Sequence, residues 1–285
     1  MTIHPSIRRP AATFISNRPM LTFVRVDGQL IRVSVRGEGR PLLLVMGLGG
    51  NIEMWDPLER ALNARQIQTI AYDASGTGDS PPRLIPRRMP GVARQAAHVL
   101  DALGHPSADV LGVSFGGAVA QELTLRNPHR VRRLILASTM CGLGGVPGTP
   151  LSVALLATPL RYYSPTFMRL TAKTLYGPTI ANEGEGDVLR DQINARRARP
   201  PTLWGYAGQL TAVACWTSLP WLHRVQSPTL VIAGDADRIV RPINARILAA
   251  RIPHARLEMV PGAGHLLLLD HAERCAVAIA KFLAD

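Results

Sequence analysis

Ser114, Asp237 and His265 have the residue types and the chain order that nucleophilic acyl transfer requires. Serine is a poor nucleophile at neutral pH and needs a base to take its proton. A histidine base in turn needs a carboxylate to orient it. Ser114 stands in Gly112-Val113-Ser114-Phe115-Gly116, a G-x-S-x-G pattern between an apolar, strand-like run ending at Val113 and a helix-forming run. The glycines fit a sharp reversal in which a Cβ would crowd the turn. The serine then lies at a helix N-terminus, where free N–H groups and the helix dipole favour developing negative charge. Asp237 closes Gly234-Asp235-Ala236-Asp237, and His265 closes Pro261-Gly262-Ala263-Gly264-His265.

Taken singly these patterns are weak, because five small residues recur by chance and a lone loop histidine is usually structural. Their order is more telling: serine, acid, histidine is the order that accompanies G-x-S-x-G in one hydrolytic architecture. Each follows an apolar run, and the C-terminal edge of the strands is where open α/β sheets place their sites. Asp235 is the rival acid. Asp237 is preferred because the G-x-x-D pattern sets the acid three residues past the glycine, leaving Asp235 to hold the turn through backbone bonds. Donors for an oxyanion are expected from the backbone N–H of Phe115, next after the nucleophile, and of Leu48 in the loop Met46-Gly47-Leu48-Gly49-Gly50. Losing one such donor costs ~3 kcal/mol in comparable enzymes.

The elements that must position these groups read as an alternation. Met20 to Val26 and Gln29 to Val35 alternate apolar and polar residues around Asp27-Gly28, a β-hairpin with one face buried. Pro41 to Met46 is continuously apolar, like a central parallel strand. Strands are then expected over Ile67–Tyr72, Ala108–Val113, Arg133–Ala137, Pro228–Ala233 and Arg256–Val260. Between them lie helical patterns over Trp55–Ala64, Pro90–Leu103, from Ser114 to about Arg126, Ile243–Arg251, and a final helix to Leu283. This is the signature of a parallel sheet with helices on both faces. From 142 to 224 the rhythm breaks into mostly helical, aromatic-bearing sequence, read as an inserted cap. Residues 20–141 and 225–285 then form the core, and residues 1–19 a loose arm.

Composition narrows the class. A chain of 285 residues can bury one large core with an insertion. No apolar run is long enough to span a bilayer or to serve as a signal peptide, so a cytoplasmic protein is expected. Cys141, Cys215 and Cys275 are scattered, without metal-ligand spacing, and fit reduced structural thiols. No metal or cofactor is expected. The net charge of +12 raises nucleic-acid binding, but Lys173 and Lys281 are the only lysines and the arginines are spread along the chain. Without an aromatic-interleaved basic stripe, a solvated basic surface is the better reading. Arg161, Arg169, Arg196, Arg197 and Arg199 in the cap are likewise read as solvated helix faces.

From Met20 onward these features together resemble the α/β-hydrolases: the glycine-rich loop, Asp73-x-x-Gly76-x-Gly78-x-Ser80, the G-x-S-x-G turn, G-x-x-D and the late histidine. More narrowly, the chain resembles intracellular depolymerases of medium-chain-length poly(3-hydroxyalkanoates). That likeness rests on Gly112 to Gln121, Cys215 to His223, Pro228 to Asp237 and Pro242 to Pro253, although Phe115 stands where these depolymerases carry Trp. The resemblance implies a mostly parallel eight-stranded sheet with a helical cap. It also implies a serine esterase acting on 3-hydroxyalkanoate esters, with a polyester granule as partner. Trp216 and Trp221 are the candidate pocket residues. They lie five apart across Pro220, too far for one helical stripe, and are expected to face different surroundings, one packed in the cap and one near the cleft. Other hydrolases of the same fold, among them carboxylesterases, carbon–carbon bond hydrolases and cofactor-free perhydrolases, remain alternatives, as does a non-catalytic binding protein.

Overall fold

The apolar runs become the strands of one eight-stranded sheet in the computed structural model, which describes residues 19–177, 180 and 186–285. The arm expected over residues 1–19 lies, except for Pro19, outside the described residues. The strands are β1 (Met20–Val26), β2 (Gln29–Arg36), β3 (Arg40–Val45), β4 (Ile67–Tyr72), β5 (Ala108–Val113), β6 (Val131–Ala137), β7 (Thr229–Gly234) and β8 (Ala255–Val260). Their spatial order is β1-β2-β4-β3-β5-β6-β7-β8. Among these eight strands, the pairs β1–β2 and β2–β4 are antiparallel and the rest parallel. The hairpin turn has Asp27 at φ 49° and Gly28 at φ 80°, the two left-handed residues of a tight primed turn.

A sheet covered on both faces explains why β3 is apolar throughout. Leu43 and Val45 point to the face packed by α2 (Met89–Ala102), α3 (Phe115–Arg126) and α9 (Ile243–Arg251). Leu42 and Leu44 point the other way, to α1 (Asp56–Asn63) and α11 (Ala272–Ala284). The last helix is not continuous as expected: α10 (Leu267–Asp270) precedes α11, and His271, at φ −120° and ψ 35°, breaks the helical path between them.

Between β6 and β7 the chain runs through α4 (Pro150–Leu156), α5 (Leu160–Tyr163), α6 (Pro165–Tyr176), α7 (Gly186–Ala198) and α8 (Leu203–Ala214). Three of these helices start on a side-chain cap. The hydroxyls of Thr149, Ser164 and Thr202 accept from the backbone N–H of Ser152, Phe167 and Gly205. Among the described residues, no helix is long and apolar enough to cross a membrane.

Candidate active site

Ser114 links β5 to α3 in a conformation that side chains seldom adopt, φ 55° and ψ −119°. Such a backbone costs about 1–3 kcal/mol and persists only where its surroundings enforce it. The neighbouring glycines are part of that enforcement. A Cβ on Gly112 would come 2.2 Å from the carbonyl oxygen of Gly116, and one on Gly116 would come 1.9 Å from that of Val45. The strained turn thereby points the Ser114 hydroxyl at His265, whose Nε2 is 3.1 Å from Oγ.

The other imidazole nitrogen of His265, Nδ1, is 2.8 Å from Oδ2 of Asp237. Oδ1 of the same carboxylate accepts from the N–H groups of Ile239 and Val240, both at 2.9 Å. Asp237 is therefore buried, held by two backbone donors and left with one oxygen for the histidine. The tautomer that fits has Nδ1–H donating to Asp237 and the Nε2 lone pair facing the serine. Asp235 takes no part in this chain. Its Oδ1 accepts from the N–H of Gly262 at 2.7 Å and ties the β7 loop to the loop that carries His265.

That second loop is held from the helical segment, a feature no sequence pattern announced. The N–H of His265 donates to the carbonyl of Tyr176, the last residue of α6, at 3.1 Å. Gly264 is required there: a Cβ would lie 1.6 Å from that same Tyr176 oxygen.

The glycine-rich loop after β3 comes to the same place. A Cβ on Gly47 would be 3.4 Å from Cβ of Ser114, and Leu48 and Phe115 both border the cavity that Ser114 and His265 open into. The peptide between Leu48 and Gly49 is gripped from both sides. The hydroxyl of Tyr162 and Nη2 of Arg161 donate to the Leu48 carbonyl at 2.6 and 3.1 Å, and the N–H of Gly49 donates to Oε1 of Gln209 at 2.7 Å. Gly49 sits at φ 74°, and a Cβ there would strike the rings of Tyr206 and Tyr162.

The cavity measures about 600 Å³ and is walled mainly by apolar side chains, among them Met46, Leu48, Leu210, Val213 and Trp216. Trp216 is buried, and its indole N–H donates to Glu122 of α3 at 2.9 Å. Trp221 is not in the wall. It is 45% exposed, with the Arg224 guanidinium stacked 4.7 Å above its ring. The reason is local: the 3-10 turn Leu219–Arg224 buries Leu222 completely, which sends the preceding side chain outward. The two tryptophans do face different surroundings, but only Trp216 reaches the cavity.

The reading of the cap arginines as solvated needs correcting. Arg169 and Arg197 are exposed, but Arg199 pairs with Glu53 and Asp79, and Arg161 and Arg196 are buried in the cavity wall. Burial, partly offset by the Arg161 charge, pushes the Tyr206 phenol up to about 12, so it stays neutral at physiological pH. Among the described residues, no group of three or more His, Cys, Asp and Glu side chains is arranged to hold a metal ion.

An eight-stranded sheet with the turn, acid and histidine at the ends of β5, β7 and β8 is the architecture of the α/β-hydrolases, and the chain belongs to that family. The alpha/beta hydrolase family profile matches residues 42–278. The chain is 41% identical over 264 residues to a poly(3-hydroxyalkanoate) depolymerase of Ectopseudomonas oleovorans, covering 91% of both proteins. It is 31% identical to a 2-hydroxymuconate semialdehyde hydrolase of Pseudomonas sp. strain CF600, covering 87% of this chain and 88% of that one. Among solved structures, a hydrolase from Pseudomonas aeruginosa PA01 superposes with a TM-score of 0.78 at 28% identity, over 93% of this chain and 98% of the other.

Proposed function

We propose that the chain is a serine hydrolase that cleaves carboxylic esters of 3-hydroxyalkanoic acids through an acyl-enzyme. The hydrogen-bonded sequence Asp237–His265–Ser114 carries this reading, since the Ser114–His265 distance suits a proton transfer and the His265–Asp237 bond orients the imidazole that receives it. In the first half-reaction His265 Nε2 takes the serine proton as Oγ adds to the ester carbonyl. The oxyanion receives the N–H groups of Leu48 and Phe115, the latter at the start of α3 where the helix dipole adds to the donor. Asp237 stays ionised and steadies the imidazolium. The proton passes from His265 to the departing alkoxide, and the alcohol leaves. In the second half-reaction His265 takes a proton from water, whose oxygen attacks the acyl carbon, and Ser114 departs with the proton returned.

Residues 142–224 act as the cap over this site, and residues 20–141 with 225–285 as the core. Restricting the substrate to 3-hydroxyalkanoate esters, with a polyester granule as the place of action, rests on the depolymerase relative and on an apolar cavity roomy enough for a medium-length acyl chain. The 2-hydroxymuconate semialdehyde hydrolase relative supports a second reading, in which the same three residues hydrolyse a substrate of that kind rather than a hydroxyalkanoate ester.

The test is labelling with a fluorophosphonate, together with turnover of soluble esters of increasing acyl length beside a dispersed polyhydroxyalkanoate. Ser114→Ala is expected to lose both label and turnover. Labelling that persists in the variant overturns the nucleophile assignment, and turnover of soluble esters without release of hydroxy acids from the polymer overturns the polyester.

A further inference from the structure

Among the described residues, two arginines are buried in the cavity wall without an acid to pair with. Arg161 of α5 and Arg196 of α7 are 4% and 2% exposed. Arg161 donates only to neutral acceptors: the Tyr206 hydroxyl at 2.6 Å, the Leu48 carbonyl at 3.1 Å and the Thr158 carbonyl at 3.4 Å. Arg196 donates from Nη1 to Gln192 at 2.9 Å, while its Nε is buried with no hydrogen-bond partner. The hydroxyl of Tyr176, under the same guanidinium at 5.3 Å from ring centroid to Cζ, is also buried and unpartnered. Both guanidiniums stand over Tyr162, Arg161 at 4.8 Å and Arg196 at 5.7 Å from its centroid.

Withdrawing a charged guanidinium from water is costly unless it is paired, and ring faces with neutral acceptors return only part of that cost. Two such cations, an orphaned Nε and an orphaned phenol converge on one region of an otherwise apolar cavity that also contains Ser114 and His265. A planar fork of N–H donors matches a carboxylate in both charge and shape.

We propose that Arg196 and Arg161, with the Tyr176 hydroxyl, form a subsite for a carboxylate belonging to the substrate or product. The group is the free acid end of a hydroxyalkanoate chain, or the acid of the released monomer. The inference rests on the ester-hydrolase reading, and gives it direction. Cleavage next to a held acid end removes terminal units, so chain ends are preferred over internal bonds. Because Nη2 of Arg161 also binds the Leu48 carbonyl, an anion at the subsite sits one residue away from the loop beside Ser114.

The experiment uses 3-hydroxyoctanoate and its neutral analogue 3-hydroxyoctanamide as competitive inhibitors of p-nitrophenyl butyrate turnover by the full chain at neutral pH. The acid is expected to inhibit at least about tenfold more strongly than the amide, the range of a charge-assisted hydrogen bond. Arg196→Gln is expected to bring the two within about twofold, and Arg196→Lys, which keeps charge but not the fork, to fall between them. Equal inhibition of the wild type by acid and amide overturns the subsite, as does an undiminished preference in a folded Arg196→Gln. Should the wild type not turn over p-nitrophenyl butyrate, the ester-hydrolase reading fails separately, and calorimetric titration with the acid and the amide still decides the subsite. Comparing a linear 3-hydroxyoctanoate dimer with its methyl ester as substrates then distinguishes the chain end from the released monomer: a preference for the dimer acid identifies the chain end.

Discussion

Gly264→Ala adds one methyl group, removes no proposed catalytic atom, and is expected to abolish most activity. The new Cβ would lie 1.6 Å from the carbonyl oxygen of Tyr176 and 2.5 Å from its carbonyl carbon. A carbon and a carbonyl oxygen in contact rest about 3.3 Å apart. Either the His265 loop or the end of α6 must therefore give way by roughly 1.7 Å, and both sides are backbone. The His265 N–H to Tyr176 carbonyl bond at 3.1 Å is lost in either case. His265 itself follows in sequence, so its Nε2 moves off the serine. A misplacement of about 1 Å costs on the order of 100-fold in rate, so kcat on a short ester is expected to fall about 100-fold or more while the melting temperature drops by several degrees. Gly262→Ala is the control in the same loop. Its φ of 73° carries a modest backbone cost of about 1 kcal/mol, but a Cβ there meets nothing within 4 Å, so kcat is expected to stay within a few-fold of wild type. If Gly264→Ala retains wild-type kcat, or if the two variants lose activity equally, the idea that α6 positions His265 is wrong.

Two further outcomes are expected. Asp237→Asn lowers kcat by orders of magnitude, ~10⁴-fold in the best-studied triad, with the fold intact, whereas Asp235→Asn costs far less; the reverse ranking in steady-state kinetics would exchange their roles. Trp216→Ala loses ~3–5 kcal/mol of stability and weakens kcat/KM for long acyl chains more than for short ones, while the exposed Trp221→Ala stays within about 0.5 kcal/mol of wild type. Melting curves and an acyl-length series measure both, and equal destabilisation by the two variants contradicts the outward position of Trp221.

Much of the frame was legible because it is governed by local rules. A short, continuously apolar run such as Leu42 to Val45, ended by a glycine-rich loop, reads as a strand covered on both faces, and Asp27-Gly28 supplies the two left-handed residues that the β1–β2 hairpin needs. The juxtaposition of Ser114, Asp237 and His265 followed from chain order because all three lie on loops at one edge of a parallel sheet. Trp221 was misplaced because aromatic character says nothing about which way a short 3-10 turn faces. The buried cap arginines were misplaced for a related reason. The charge pattern of Arg196-Arg197 is that of a solvated helix, and only tertiary packing shows that Arg196 turns inward to the tyrosines while Arg197 faces water.

That packing gives the proposed cap a role beyond covering the site. The three bonds on the Leu48–Gly49 peptide come from α5 and α8, and the bond on the His265 backbone comes from α6. The loop proposed to bind the oxyanion and the loop carrying the proposed base are thus each fixed by a helix inserted between β6 and β7, rather than by the sheet alone. Displacing these helices would remove the bonds on both loops at once. This coupling also explains the glycines at 49 and 264: each lies where a cap tyrosine presses directly on the backbone, Tyr206 and Tyr162 by their rings and Tyr176 by its carbonyl. A side chain at either position would push these helices away from the loops beside Ser114 and His265.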